Sequence, residues 1–186
     1  MAKIDLTKEC KGCYTASVKK PALVDVPKLK FLTYDGSGHP EESPVFPLGF
    51  EALYSVAYTL KFAIKAGPGA QDFKVMPPEG VWWVEGGKPF EEASKNEWRW
   101  RLMMAIPDYI DAAMVRDARQ SVKKKNGLAA VDAIRLKTFR EGKCVQMMHV
   151  GPYEKETETI TKLKADAEKC GFVFNGPHHE IYFSDP

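Results

Sequence analysis

No apolar run in this 186-residue chain approaches the roughly 18 to 20 residues that a membrane span requires, so a bilayer helix is excluded. The opening Met1-Ala2-Lys3-Ile4-Asp5 lacks the apolar stretch of a secretory leader, and a cytoplasmic protein is expected. Net charge is nearly missing as well: 27 Lys and Arg stand against 25 Asp and Glu. A balance of +2 provides no field for holding nucleic acid or an acidic membrane surface, so neither is expected as a partner. The sequence holds no G-x-S-x-G, H-E-x-x-H, Walker loop or G-x-G-x-x-G, which removes the usual signals of serine hydrolases, zinc proteases and nucleotide enzymes. Cysteine is scarce at four residues. Cys10 and Cys13 form a single C-x-x-C without the strand-then-helix setting of a redox motif or the four ligands of a zinc site, so reduced thiols, no metal and no cofactor are expected. Cys144 and His149 lie five apart on one predicted strand, about 16 Å, too far for a nucleophile and its base.

Aromatic residues are present in concentration. Trp82-Trp83 and Trp98-Arg99-Trp100 place all four tryptophans within nineteen residues. On a strand, Trp98 and Trp100 share one face while Arg99 and Arg101 take the other, giving an aromatic side and a solvated side. A composition that is 44% hydrophobic supports one sizeable core or two small repeated ones.

Along the chain, residues 1–20 read as a charged arm. Two short strands follow at Ala22–Val26 and Lys28–Tyr34, separated by Pro27, and then a loop from Asp35 to Pro40. Helical spacing predicts a helix from about Phe46 to Ala66, ended by Gly67-Pro68-Gly69. Strands are expected at Asp72–Met76, Val81–Glu85 and Glu97–Ala105. A second helix over about 109–125 takes Asp108 as N-cap and closes on Lys123-Lys124-Lys125 before Gly127, cations where the helix dipole is negative. Strands at Ala133–Phe139 and Lys143–Val150, a helix from about Glu154 to Lys169 and a strand at His178–Phe183 complete the chain. The order strand, strand, glycine break, helix, strand occurs twice, over about 21–106 and 128–186. An α+β fold is expected, with antiparallel half-sheets backed by helices and a ligand cleft between the repeats.

Glu180 and Tyr182 are two apart in the last strand and share a face, opposite to Ile181 and Phe183, which are expected to pack on a helix. The adjacent His178 and His179 point to opposite faces and are expected to have no metal role. Of Trp82 and Trp83, at most one faces a cleft, and Tyr58 and Phe62, one helical turn apart, are candidates for its edge.

Val24-Asp25-Val26-Pro27, Tyr34-Asp35-Gly36-Ser37-Gly38, Ala52–Tyr58, Pro77-Pro78-Glu79-Gly80-Val81-Trp82-Trp83, His149–Tyr153 and Gly176–Pro186 together resemble the GyrI-like small-molecule-binding proteins, in particular their stand-alone branch. The resemblance implies a duplicated strand-helix-strand-strand fold with a cleft between the repeats. It also implies that Glu180 matches the buried glutamate of multidrug-sensing members. Members similar to the stand-alone branch hydrolyse cyclopropane-bearing, DNA-alkylating natural products of the yatakemycin type. That chemistry needs a base for water and a donor for the oxyanion. Glu180, its pKa raised by apolar surroundings, is the expected base, with Tyr182 or Tyr153 assisting. Trp82, Trp83, Trp98, Trp100, Tyr58 and Phe62 are expected to stack on a flat hydrophobic ligand. Two other readings stay open: a non-catalytic sensor or sequestering module, and a gyrase-inhibitor type of interaction protein. Absence of a helix-turn-helix region counts against a transcription factor, and a gyrase partner or a homodimer stays open.

Overall fold

A computed structural model of the chain describes residues 3–67, 71–86, 88 and 92–184. The fold is mixed α+β, with five strands in the order β4-β1-β3-β2-β5. The strands are β1 (Ala22–Ser37), β2 (Pro78–Val84), β3 (Trp98–Ile106), β4 (Arg135–Gln146) and β5 (His178–Ile181). The helices are α1 (Leu6–Glu9), α2 (Val45–Ala66), α3 (Ala112–Asn126) and α4 (Glu156–Lys169). None of the described helices is long and apolar enough to cross a membrane.

The chain divides into two compact units. The first comprises Met1–Leu6, Leu29–Phe139 and Pro177–Phe183, and the second Thr7–Lys28, Arg140–Gly176 and Ser184–Pro186. The first holds α2, α3, β2, β3 and β5 around a core of Leu32, Leu53, Val56, Trp100, Leu102 and Ile110, all fully buried. In the second, Tyr14 is buried, as are Ile160 and Ala167 of α4.

Several elements differ from the sequence expectation for local reasons. Pro27 does not split β1; it precedes Lys30, where the pairing with β3 begins, so its missing N–H costs that ladder nothing. Arg140-Glu141-Gly142 is not a turn: β4 runs through it, and Gly142 takes φ 79°, a left-handed conformation that bends a strand without ending it. Asp72–Met76 is no strand. Phe73 makes a single parallel bridge to Ile4, with Ile4 N–H donating to Asp72 O at 2.9 Å and Lys74 N–H to Ile4 O at 2.8 Å. The N-terminal stretch, read as a charged arm, supplies a bridge partner and α1. Asp111, rather than Asp108, caps α3, accepting from Met114 N–H at 2.9 Å, because a turn in which Ile110 N–H meets Pro107 O delays the helix. Lys123, Lys124 and Lys125 do occupy its last turn, and Gly127 at φ 67° ends it. Among the expected helix-terminating residues, Gly67 caps α2, while Pro68 and Gly69 lie outside the described residues.

Candidate functional site

The site is built on the β2–β5 pair. β5 runs antiparallel to β2 with Gly80 opposite Glu180 and Trp82 opposite His178, so Gly80, Trp82, His178 and Glu180 share one face. Tyr182 follows the strand and stays tied to it through its N–H, which donates to Pro78 O at 3.0 Å. Gly80 makes the meeting of these groups possible. A Cβ there would lie 2.4 Å from the Tyr182 hydroxyl and 3.0 Å from Trp82 Nε1.

In the space so left, one carboxylate collects three donors. Trp82 Nε1–H donates to Glu180 Oε2 at 3.0 Å and lies 3.3 Å from the Tyr182 hydroxyl. The Tyr182 hydroxyl donates to the same Oε2. His178 Nε2 lies 3.1 Å from Oε1. The Glu180 side chain keeps 16% of its surface and that of His178 19%. Burial works to raise the Glu180 carboxyl, but the hydrogen bond and charge of His178, then the hydrogen bonds of Tyr182 and Trp82, outweigh it and hold it below its ordinary 4.5. The raised pKa expected from apolar surroundings is thus corrected: the rings around Glu180 carry polar edges, and those edges point at it.

Aromatic rings enclose the cluster. Phe50 meets Tyr182 edge-on at 6.0 Å, Phe46 lies 5.7 Å from Trp82, and Trp98 stands edge-on to Trp82 at 5.7 Å. The helix contribution comes from a four-residue spacing in α2: Phe46, Phe50, Tyr54, Tyr58 and Phe62. The outer three stack in succession, at 6.3 Å and 6.1 Å, and are exposed.

The expected site residues therefore fall into separate places. Glu180, Tyr182 and Trp82 meet, with Trp98 at the edge of Trp82. Trp100 is fully buried, stacked on Tyr34 at 6.3 Å, its ring lying where a Cβ on Gly36 would be 2.0 Å away. It has no surface to offer a ligand. Trp83 faces the other side of the sheet, 5.7 Å from the Arg101 guanidinium. On that side Arg101 clasps Asp35 through two nitrogens at 2.6 Å and 3.0 Å and Arg99 reaches Glu85 at 3.1 Å, but Glu79, Val81 and Met103 of the same face are buried, so only the end with the two arginines is the solvated side the alternation implied. Tyr58 and Phe62 belong to the exposed stack on α2. Tyr153 sits in a 3-10 turn of the second unit, half exposed. Phe183, expected against a helix, is 49% exposed.

Sequence reasoning missed His178, Phe46, Phe50 and Gly80. The two histidines do point to opposite faces, but each ends on a carboxylate: His178 on Glu180, and His179 on Glu79 at 3.0 Å. The signal that could have found the phenylalanines is the four-residue ring spacing. Burial first and then Glu141 push the Cys144 thiol up to about 12, which disfavours the thiolate a nucleophile needs.

The family model of the GyrI-like small molecule binding domain matches residues 19–186. Three solved structures from Listeria innocua resemble the chain over nearly its whole length. An uncharacterized conserved protein is 35% identical, with a TM-score of 0.88 over 99% of this chain and 92% of its own. A hydrolase is 33% identical, with a TM-score of 0.88 over 100% and 92%. A further hydrolase is 32% identical, with a TM-score of 0.84 over 99% and 91%. No curated protein matches the chain.

Proposed function

We propose, since the chain belongs to the GyrI-like small molecule binding domain family, that it binds flat hydrophobic molecules at Glu180 and hydrolyses those bearing a cyclopropane conjugated to a dienone. One observation carries this reading: a carboxylate that is largely buried among rings, yet meets polar groups of Trp82, Tyr182 and His178, which hold its pKa down. Support for catalysis comes from the two hydrolases of about one-third identity. In the proposed step, water oxygen bonds to a strained ring carbon as the carbon–carbon bond breaks. The released electron pair passes through the dienone to its oxygen, giving a phenolate. Glu180 takes the proton from water, and the phenolate takes one back from the resulting acid or from solvent, so the sum is substrate plus water. His178 and Trp82 hold the carboxylate in one orientation throughout. Natural products that alkylate DNA through this ring are the substrate class, and their loss protects the cell.

The ionised state also favours a second reading, sequestration, in which Glu180 offsets a ligand cation and the rings add cation-π attraction. Turnover separates the two. Wild type should give ring-opened product from a cyclopropyl dienone, with Glu180→Gln slower by about 10²-fold or more, the range of general base catalysis. Tight binding of a flat cation without turnover would instead favour sequestration, and equal product from both proteins would remove Glu180 from the mechanism.

A further inference from the structure

Behind the Glu180 cluster, on the opposite face of the same two strands, lies a second acid–imidazole pair that the proposed chemistry does not use. His179 Nε2 is 3.0 Å from Glu79 Oε2, and the two side chains keep 13% and 2% of their surface. A carboxylate with so little surface is expensive to desolvate, and apolar replacements of such pairs often fold as well or better. Such a pair calls for a gain other than stability.

The strand it grips has a register problem. β5 is four residues long, stands at the end of the sheet, and carries Glu180. A one-residue slip turns every side chain to the other face. With two histidines side by side, each face would still receive an imidazole after a slip toward Trp82, so the imidazoles alone specify little. Glu79 distinguishes the registers. In the observed one, Glu79 stands opposite Ile181 and reaches along the face to His179, which is opposite Val81. A slip in one direction would set Glu180 directly opposite Glu79. In the other direction, Glu180 would replace His179 opposite Val81, again beside Glu79. Either way two carboxylates share one face, where like charges repel.

We infer that Glu79 and His179 are a register lock, a positioning pair whose attraction in the native pairing and whose repulsion of Glu180 in the slipped ones keep the carboxylate facing Trp82. The catalytic consequence rests on the hydrolase reading; the lock itself does not.

Indole N–H resonances test it. The chain has four tryptophans, and Glu180→Gln identifies the one from Trp82, whose N–H donates to that carboxylate. The double variant Glu79→Leu, His179→Leu removes both polar groups and should fold, with the Trp98 and Trp100 signals in place. Its Trp82 signal should move toward the Glu180→Gln position or split, and kcat on a cyclopropyl dienone should fall at least tenfold. Glu79→Gln, which still accepts from His179 but no longer repels Glu180, should displace the Trp82 signal less than the double variant does. A native Trp82 signal in the double variant overturns the lock. Where the double variant does not fold, Glu79→Met, which removes the attraction and the repulsion together, is read by the same signal: displacement supports the lock and an unchanged position overturns it. A wild type that neither binds nor opens the dienone would sink the hydrolase reading and leave the indole result standing.

Discussion

Gly80→Ala puts the candidate site under the smallest perturbation the fold allows. One methyl group would arrive 2.4 Å from the Tyr182 hydroxyl, where about 3.4 Å is ordinary contact, so the phenol must withdraw by about 1 Å. Trp82 Nε1, at 3.0 Å, must yield by a few tenths of an ångström. Gly80 sits inside β2 and does not adopt a left-handed backbone, so alanine is unstrained there and recovers part of the roughly 0.5 to 1 kcal/mol that glycine costs in a strand. Against this stands an overpacking cost of about 1 to 3 kcal/mol, toward its lower end because the Tyr182 hydroxyl is the far end of a side chain just beyond the end of the edge strand. Net destabilisation of about 1 kcal/mol is expected, within reach of a urea titration. Function should suffer far more. Displacement of the phenol removes a donor from Glu180 Oε2 and a neighbour of Trp82 Nε1–H, and a misplacement of about 1 Å can lower turnover by about 10²-fold. The assays are ring opening of a cyclopropyl dienone, and quenching of tryptophan emission by a flat ligand. A Gly80→Ala protein with native stability, native quenching and native turnover would refute the idea that Tyr182, Trp82 and Glu180 act as one packed group.

Gly36→Ala provides the contrast, since its methyl would fall 2.0 Å from the ring of the fully buried Trp100, which has nowhere to withdraw. A loss at the upper end of the 1 to 3 kcal/mol overpacking range, or beyond it, is expected by urea titration, exceeding that of Gly80→Ala. The depressed Glu180 pKa makes a prediction about acid. A carboxyl held below its unfolded value binds fewer protons folded than unfolded, so its stabilisation is complete above about 4.5 and is lost as pH falls through the lower folded value. The stability difference between wild type and Glu180→Gln, measured by denaturation at a series of pH values, should therefore be largest near neutrality and shrink below pH 4.5.

Much of this site was legible because strands alternate. That rule places Glu180 with Tyr182, separates His178 from His179, and sets Trp98 and Trp100 against Arg99 and Arg101. It says nothing about which strand lies next to which. Glu180 meets Trp82 only because β5 pairs with β2, a long-range choice that no local pattern encodes. Trp100 went unrecognised as core for a related reason: it is opposite Gly36, and the value of a missing side chain is visible only once the partner strand is known. Pro27 and Gly142 misled because breakers were read without their partners: Pro27 precedes the part of β1 that pairs with β3, and Gly142 lies within β4.

The ionisation of Glu180 bears on how catalysis and binding divide. A base with a depressed pKa is intrinsically weak, so little of any rate enhancement can come from proton affinity. What such a carboxylate does offer is a fixed charge, held by the Trp82, Tyr182 and His178 donors and needing no reorganisation when a substrate arrives. A strained cyclopropane suits such a group. Release of ring strain drives the carbon–carbon cleavage, water needs only to be oriented and relieved of a proton late, and the phenolate leaves its charge at the far end of the ligand. An unstrained ester or amide would need a stronger base or an activated nucleophile, and the Cys144 thiol, pushed up to about 12, supplies neither. Within the hydrolase reading, the weak base therefore selects for electrophiles that are already activated, and turnover of ring-strained dienones alongside inertness toward simple aryl esters is the pattern that follows from it.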